Sequence, residues 1–297
     1  MNFTLEQLSE QFKQENYICG EDILVPVYLA LKLKKPLLVA GAPGVGKTEI
    51  AKVLSNVLKT ELIRLQCYEG LDENKALYEW NYQKQLLYIQ AEKGRQDRTV
   101  DIFSREYILE RPLLKAIRAP KQVVLLVDEI DKTDAEFEAF LFEILSDFQV
   151  SVPEFGTIQA NEIPVVVLTS NGERDLSDGL KRRCIFLHIG FPSIEKEVEI
   201  IRRKVPALGG ELTWQLARSV AYLRSEIGLR KKPSISETLD WAQALLAFNA
   251  DRMTEHLIER TINVLLKDQE DIETFISKGG AGEMLKHVKG RGKVERD

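Results

Sequence analysis

The sequence predicts an α/β fold in which a parallel sheet carries a phosphate-binding loop, followed by a smaller domain made only of helices. Three apolar runs predict the sheet: residues 36–40, which lead into a glycine-rich segment, residues 123–127, and residues 164–168. Continuous apolar runs of this length are typical of strands that are buried on both faces of a parallel sheet. Strand patterns stop after residue 191, and helical patterns continue to residue 276.

These patterns divide the chain into three parts. Residues 1–192 are predicted to form the α/β domain, with helices over 4–14 and 21–33 ahead of the first strand. Residues 193–276 are predicted to form a helical lid domain, with a core of Trp214, Leu216, Val220, Trp241, Leu245 and Phe248. The last segment, 277–297, is rich in glycine and charge and poor in apolar residues, so we expect a mobile tail.

The segment at 41–48 has the spacing of a phosphate-binding loop, and it joins the first predicted strand to a helix-prone stretch. Glycines let the backbone curl so that N–H groups point at phosphate oxygens, and the following helix places its positive end behind them. Lys47 is expected to reach the β- and γ-phosphates, and the Thr48 hydroxyl is expected to bind Mg²⁺. The residues expected to bind a nucleoside triphosphate, ATP or GTP, are Gly41, Ala42, Pro43, Gly44, Val45, Gly46, Lys47 and Thr48.

Two adjacent carboxylates end the second apolar run, where ligands of open parallel sheets bind. Asp128 is expected to bind Mg²⁺, and Glu129 is expected to act as the general base that activates a water for attack on the γ-phosphorus. This pair predicts hydrolysis of the nucleotide. Asp131 is expected to begin the turn into the next helix, with Thr133 as N-cap and Glu136 completing a capping box, and it receives no catalytic role.

Asn171 follows the third apolar run, so it belongs at the same edge of the sheet. An amide at this position can orient the attacking water. The alternative is a turn residue before Gly172, because an Asn side chain readily bonds the local backbone. The position after a third buried strand favours the functional interpretation, and we assign Asn171 to catalysis together with Lys47 and Glu129.

The order and spacing of three segments resemble those of AAA+ ATPases, at residues 41–48, 123–129 and 165–171. Residues 176–184 are similar to the family's arginine-finger segment, in which one subunit's guanidinium reaches the γ-phosphate bound by its neighbour. Arg183 occupies the matching position, with Arg182 as the second candidate. A planar guanidinium that does not deprotonate suits charge developing on phosphate oxygens. The alternative for such a basic triplet is solvated surface.

Within the AAA+ ATPases the chain resembles the MoxR type, especially the branch linked to maturation of carbon monoxide dehydrogenase and similar metalloenzymes. Residues 65–82 resemble that branch's second strand and second helix, where a helix insert belongs. Residues 148–159 alternate and turn near Gly156, as the family's pre-sensor hairpin does. By the same resemblance Ile18 and Cys19 line the adenine pocket, for which simple core packing is the alternative.

One departure from the MoxR pattern concerns the second sensor of the γ-phosphate. MoxR-type lids carry an arginine after a proline at the start of a helix, whereas here Pro233 is followed by Ser234. Ser234 and Glu237 are instead typical of a capping box. Three basic residues could take the place of this arginine: Arg230, Lys231 and Lys232. The alternative is that they form a solvated basic turn with no role at the nucleotide.

Composition excludes several classes of protein. A net charge of −5 argues against a large nucleic-acid footprint, which needs clustered Lys and Arg. No apolar run approaches the ~20 residues that cross a bilayer, and the start of the chain is polar rather than an export signal, so we expect a cytoplasmic protein. The three cysteines, Cys19, Cys67 and Cys184, lie singly with no histidine at ligand spacing, and predict neither a disulfide nor a zinc site.

The family resemblance implies a remodelling ATPase that uses ATP and Mg²⁺ and assembles into a homo-oligomeric ring, a hexamer. It also implies a partner with a von Willebrand factor A domain and a client metalloenzyme that receives its cofactor with their help. Two alternatives stay open. One is a nucleic-acid-directed AAA+ switch or motor of the clamp-loader or restriction type, favoured by the Arg-Arg-Cys ending of the finger segment. The other is a small-molecule kinase, which would need no arginine from a second subunit.

Overall fold

The computed structural model describes residues 3–91, 101–152 and 156–290, and these form two compact units. The first unit contains the chain up to Gly41 and from Lys47 to Ile189. The second contains Ala42–Gly46 and the chain from Gly190 onward. The division at Gly190 lies two residues before the end predicted for the α/β domain.

In chain order, the helices of the first unit are α1 (Leu5–Gln14), α2 (Glu21–Leu33), α3 (Lys47–Leu58), α4 (Glu73–Leu77), α5 (Tyr82–Ala91), α6 (Pro112–Ile117), α7 (Ala135–Asp147) and α8 (Asp178–Arg183). Its strands are β1 (Leu37–Gly41), β2 (Leu62–Gln66), β3 (Tyr78–Trp80), β4 (Ile108–Glu110), β5 (Val124–Asp128), β6 (Gln149–Val152), β7 (Gly156–Gln159), β8 (Val165–Ser170) and β9 (Ile185–Ile189). The second unit contains α9 (Ile194–Lys204), α10 (Gly210–Ser225), α11 (Ile235–Ala247), α12 (Glu255–Thr261), α13 (Gln269–Ser277) and α14 (Gly280–Gly290). Among the residues that the structure describes, no helix has the length and apolar character needed to span a membrane.

The first unit is built on a five-stranded parallel sheet in the order β2-β5-β8-β1-β9, which confirms the predicted fold class. Every residue of β5 is buried, as its unbroken apolar run predicts for a central strand. The register pairs Gln66 with Asp128 and Ala40 with Ser170. Because the strands are parallel, their carboxyl ends meet at one edge of the sheet, and the polar residues that end β2, β5 and β8 lie there together.

Two antiparallel hairpins are added to this sheet domain. The first pairs β3 with β4 and carries α5 between its strands; β3 lies within residues 65–82, which resemble the family's second strand and second helix, whereas α5 and β4 extend beyond that segment. The second pairs β6 with β7, as the alternation at 148–159 predicted. Gly156, the first residue of β7, has φ +72°, a conformation that favours glycine. The turn residues 153–155 lie outside the described residues.

Most helix boundaries lie where local signals predicted them, but α7 begins one residue after the predicted position. Thr4 caps α1 in a capping box with Gln7, and α2 has the predicted bounds. The expectation that Thr133 caps α7 is wrong: Asp134 is the N-cap, and its side chain accepts a hydrogen bond from the Phe137 N–H at 2.8 Å. The Thr133 hydroxyl instead donates to the carbonyl of Ile130 at 2.8 Å, because a short 3₁₀ turn over Ile130–Lys132 precedes the helix.

The second unit has its own apolar core, with the fully buried Trp241 donating a hydrogen bond from Nε1 to Thr261 Oγ1 at 2.8 Å. Phe248 was predicted in this core but is 45% exposed, because it follows the last residue of α11 and its ring packs under Arg260. The predicted mobile tail is also wrong for residues 280–290, which form α14. The apolar side chains that bury this helix in the core are Ala281, Met284, Leu285 and Val288.

Candidate nucleotide site

The glycine-rich segment turns sharply between β1 and α3. Gly44 and Gly46 have φ values of +72° and +95°, which side chains with a Cβ rarely adopt. These two positions therefore need glycine for the chain to pass from the end of β1 to the first turn of α3. The first N–H groups of a helix have no partner within it and favour anions, so a phosphate group fits the start of α3.

Lys47 is the first residue of α3 and is almost completely buried, at 6% exposure. Its Nζ donates hydrogen bonds to the carbonyl oxygen of Gly41 at 2.8 Å and to Oδ1 of Asn171 at 2.7 Å. Burial lowers the pKa of Lys47, and the nearby carboxylates of Asp131, Asp128 and Glu129 oppose that shift. A buried ammonium group at the edge of the sheet is suited to bind phosphate oxygens.

Asp128 ends β5 and is 2% exposed, so its charge needs close partners. Its Oδ1 accepts hydrogen bonds from Thr48 Oγ1 at 3.1 Å and from Thr169 Oγ1 at 2.5 Å. Its Oδ2 forms an ion pair with Nη2 of Arg64 at 2.5 Å. A carboxylate and a hydroxyl in contact are hard oxygen donors of the kind that Mg²⁺ prefers, so Thr48 and Asp128 fit the ion assigned to them.

Glu129 follows β5 with φ +59°, a left-handed conformation that is uncommon for a residue with a side chain. The Thr169 hydroxyl accepts a hydrogen bond from the Glu129 N–H at 2.9 Å and holds this turn of the backbone. The carboxylate accepts hydrogen bonds from Gln66 Nε2 at 3.0 Å, from Lys132 Nζ at 2.7 Å and from Asn171 Nδ2 at 3.4 Å. The contact with Glu129 raises the pKa of Lys132. The side chain is 32% exposed, so water can reach the carboxylate.

Asn171 lies directly after β8 and contacts both Lys47 and Glu129 through its amide group. Its backbone position depends on Asp131, which is 4% exposed. The Asp131 carboxylate accepts hydrogen bonds from the Asn171 N–H at 3.1 Å and from the Glu173 N–H at 2.9 Å. The sequence suggested only a turn residue at Asp131, whereas the structure gives it the role of holding the loop that carries Asn171.

The other predicted site residues have the following surroundings in the structure. Arg183 is the exposed last residue of α8, and its guanidinium lies over the ring of Phe142. Ile18 and Cys19 lie half-buried between α1 and α2, and their assignment to an adenine pocket stays a prediction. In the second unit Arg230 forms an ion pair with Glu270. Lys231 forms an ion pair with Asp268, with 3.7 Å between Nζ and Oδ2.

Besides Lys132, which lies three residues after Glu129, sequence reasoning missed three residues that contact the predicted carboxylates: Arg64, Gln66 and Thr169. Gln66 had a readable signal, since it is the polar residue that ends an apolar strand beside β5. The argument used for Asp128 is that a polar residue at the carboxyl end of a strand lies where ligands bind, and the same argument applied to β2 would have identified Gln66. Arg64 and Thr169 carried no such signal, because a charge on an edge strand is usually solvated and a Thr within an apolar run is usually core.

The match to a known family decides the class of this site. A family model for the AAA domain, dynein-related subfamily, matches residues 36–184. The chain belongs to this family. The matched segment contains the loop, both carboxylates, Asn171 and Arg183. The protein is an AAA+ ATPase, and the sequence-based prediction of an ATP-hydrolysing enzyme is confirmed at that level.

Similar proteins and structures agree with this class. The Holliday junction branch migration complex subunit RuvB of Thermotoga maritima is 24% identical over 282 residues, which cover 89% of this chain and 72% of that protein. The chaperone protein ClpB of Bacillus anthracis is 28% identical over 150 residues, 48% of this chain and 14% of that protein. A solved structure of Thermotoga maritima RuvB superposes with a TM-score of 0.52 at 20% identity, covering 90% of this chain and 80% of that one. At this identity the superposition shows the shared fold.

Proposed function

We propose that this AAA+ ATPase hydrolyses ATP in the presence of Mg²⁺, with Lys47 binding the β- and γ-phosphates and Glu129 acting as general base. The observation that carries the proposal is the hydrogen-bonded series Lys47–Asn171–Glu129, with contacts of 2.7 Å and 3.4 Å. The side-chain amide of Asn171 therefore contacts both the ammonium group of Lys47 and the carboxylate of Glu129, the proposed base. A water beside Glu129 would transfer its proton to the carboxylate while its oxygen attacks the γ-phosphorus and the bond to ADP breaks.

Thr48 and Asp128 are the residues that would hold Mg²⁺, through one hydroxyl and one carboxylate oxygen. When bound, the ion neutralises charge on the β- and γ-phosphates. The Thr169 hydroxyl keeps Asp128 oriented and, through the Glu129 N–H, keeps the base beside it. Asn171 would orient the attacking water, since its amide contacts the base directly.

We further propose that the active unit is a homo-oligomeric ring, hexameric as in the resembling family, in which Arg183 of one subunit serves the site of the next. Two features support this. Arg183 is exposed, and its guanidinium lies over the ring of Phe142 on α7. An arginine supplied from outside accelerates phosphoryl transfer by on the order of 10³–10⁵ where it has been measured in related chemistry.

For the biological role we propose remodelling or maturation of a client metalloenzyme in the cytoplasm, together with a partner that carries a von Willebrand factor A domain. The MoxR-like segments support this role, since β6 and β7 pair where the resemblance expects the pre-sensor hairpin, at 148–159. The net charge of −5 also favours protein clients over a polyanion.

The second candidate is a nucleic-acid-directed motor. Similarity to RuvB over 89% of the chain favours it, because RuvB is by its name a subunit of a complex that acts on Holliday junctions. The two roles differ in what stimulates ATP turnover. We expect a partner with a von Willebrand factor A domain and its client to raise turnover, and four-way junction DNA at low salt to have no effect. Stimulation by the junction alone would favour the motor.

The test of hydrolysis separates binding from turnover. Lys47→Ala is expected to lose ATP affinity because it removes the buried cation, whereas Glu129→Gln is expected to bind ATP and stop turning it over. Equilibrium binding of ATP and release of phosphate measure the two effects. Wild-type turnover by Glu129→Gln would show that the assigned base is wrong.

The test of the ring uses mixed subunits. Arg183→Ala is expected to bind ATP without turnover, since its pockets are intact but receive no guanidinium. Lys47→Ala subunits have intact fingers and no working pocket. Mixing the two variants is therefore expected to restore part of the activity. Full turnover by a strictly monomeric preparation would refute the ring and support the kinase alternative.

A further inference from the structure

Phe142 of α7 lies between two residues of α8 that are one turn apart. The guanidinium carbon of Arg183 lies 3.4 Å from the centroid of the Phe142 ring. On the same ring, a Cβ added to Gly179 would lie 3.4 Å from Cε2 and 3.8 Å from Cδ2. Residues four apart lie on one face of a helix. Phe142 therefore packs against that face, with the arginine stacking on its ring.

The stacking distance makes this a strong contact for an exposed arginine. Cation–π attraction operates within about 6 Å of a ring centroid and is typically worth 0.5–1 kcal/mol at exposed sites and about 2 kcal/mol when desolvated. A free arginine side chain samples many rotamers, and contact with the ring favours those that keep the guanidinium over it. The ring engages the face of the guanidinium, so the N–H groups around its edge are left to meet phosphate oxygens.

The start of α8 is held by the same helix. Glu138 lies one turn before Phe142 on α7 and is 1% exposed. Its Oε2 accepts a hydrogen bond from the Ser177 N–H at 2.9 Å, and its carboxylate pairs with Arg174. Ser177 in turn caps α8. One face of α7 therefore fixes both ends of α8: Glu138 its first turn and Phe142 its last residue.

We propose that Phe142 is a positioning residue for catalysis, which holds the Arg183 guanidinium in the orientation that serves the active site of a neighbouring subunit. The inference rests on the proposed role of Arg183 as a finger supplied between subunits. It adds that the finger is preorganised by an aromatic surface within its own subunit.

The test replaces the ring while keeping an apolar side chain. Phe142→Leu is expected to lower ATP turnover by about 3- to 30-fold, the range that corresponds to losing a cation–π contact, with ATP affinity unchanged. Phe142→Met, whose unbranched and flexible side chain has about the volume of leucine and no ring, is expected to behave like Phe142→Leu and guards against a loss caused by the branched shape of leucine. Phe142→Tyr keeps the π face and is expected to retain turnover.

Two further measurements distinguish positioning from general stability. Mixed with Arg183→Ala subunits, Phe142→Leu is expected to show no gain in turnover, because neither chain supplies a well-placed guanidinium. Mixed with Lys47→Ala subunits, Phe142→Leu is expected to regain activity, since its own pocket is intact. A gain in turnover on mixing with Arg183→Ala subunits, or a Phe142→Tyr variant as slow as Phe142→Leu, would overturn the proposal.

The outcome for Arg183→Ala separates this inference from the proposed function. If Arg183→Ala keeps wild-type turnover, the finger assignment fails, and Phe142 has no finger to position. If Arg183→Ala loses turnover while Phe142→Leu and Phe142→Met keep it, the finger stands and the role of Phe142 is refuted.

Discussion

The hydroxyl of Thr169 offers the sharpest test of how the two carboxylates are held. It is fully buried, donates to Asp128 Oδ1 at 2.5 Å and accepts from the Glu129 N–H at 2.9 Å. Thr169→Val keeps the shape of the side chain and removes both hydrogen bonds. The variant leaves a buried carboxylate without one donor and a backbone N–H without its acceptor.

The expected cost follows from those two losses. A hydrogen bond to a charged group contributes about 1.5–3 kcal/mol, and a buried donor left unsatisfied costs about 1–3 kcal/mol. Some relief comes from Thr48 and Arg64, which still contact Asp128. We therefore expect Thr169→Val to lower the free energy of unfolding by about 2–5 kcal/mol. Turnover should fall as well, because the turn that presents Glu129 loses its support.

The matched control is Thr133→Val in the same unit. Thr133 is 3% exposed, and its hydroxyl donates to the carbonyl of Ile130, which also accepts from the Thr133 N–H at 3.1 Å. Losing this hydroxyl leaves no group unsatisfied, so the expected cost is about 0.5–1.5 kcal/mol. Urea unfolding monitored by circular dichroism measures both variants, with an unchanged slope indicating a change in stability alone. A Thr169→Val variant no less stable than Thr133→Val would refute the reasoning.

Two further predictions concern single contacts. Asn171→Ala is expected to slow phosphate release with little change in ATP affinity. The hydrogen bond from Asn171 to Glu129 matters mostly in the transition state, and Lys47 keeps its hydrogen bond to Gly41. Unchanged turnover would show that Asn171 is only a turn residue. In the second unit, Arg224 forms a buried bidentate ion pair with Glu197 at 2.6 and 3.0 Å. Arg224→Met is expected to cost about 3–5 kcal/mol of unfolding free energy in thermal or urea unfolding, and Glu197→Met added to it should recover most of the loss. A double variant no more stable than the single one would contradict this account.

The elements that the sequence predicted well are those with local signals. The bounds of α2 match the prediction, β9 begins two residues after Arg183 where a strand was expected, and the β6–β7 hairpin follows the alternation of its residues. Caps, alternation and unbroken apolar runs all act within one element. These signals can therefore be recognised without knowing which element packs against them.

The errors come from contacts between segments far apart in the chain. Residues 280–290 have the glycine and charge content of a mobile tail, yet Met284 and Val288 are buried among distant helices, and that burial stabilises α14. Phe248 is apolar but follows the end of its helix, and nothing in its own segment shows which way the chain leaves. The composition of a segment does not show which distant part of the chain packs against it.

The sequence by itself determined the class of chemistry: a loop that needs glycine at Gly44 and Gly46, a cation at Lys47, and the carboxylates Asp128 and Glu129 after a buried strand. These follow from residue type and from the edge at which parallel strands end. The tertiary structure alone decided how the carboxylates are held, by Thr169 across the sheet. It also decided that Asp131 supports Asn171 and that Arg183 stacks on Phe142. The physical reason is that hydrogen bonds and stacking depend on distances of about 3 Å between side chains far apart in sequence, and only packing sets those distances.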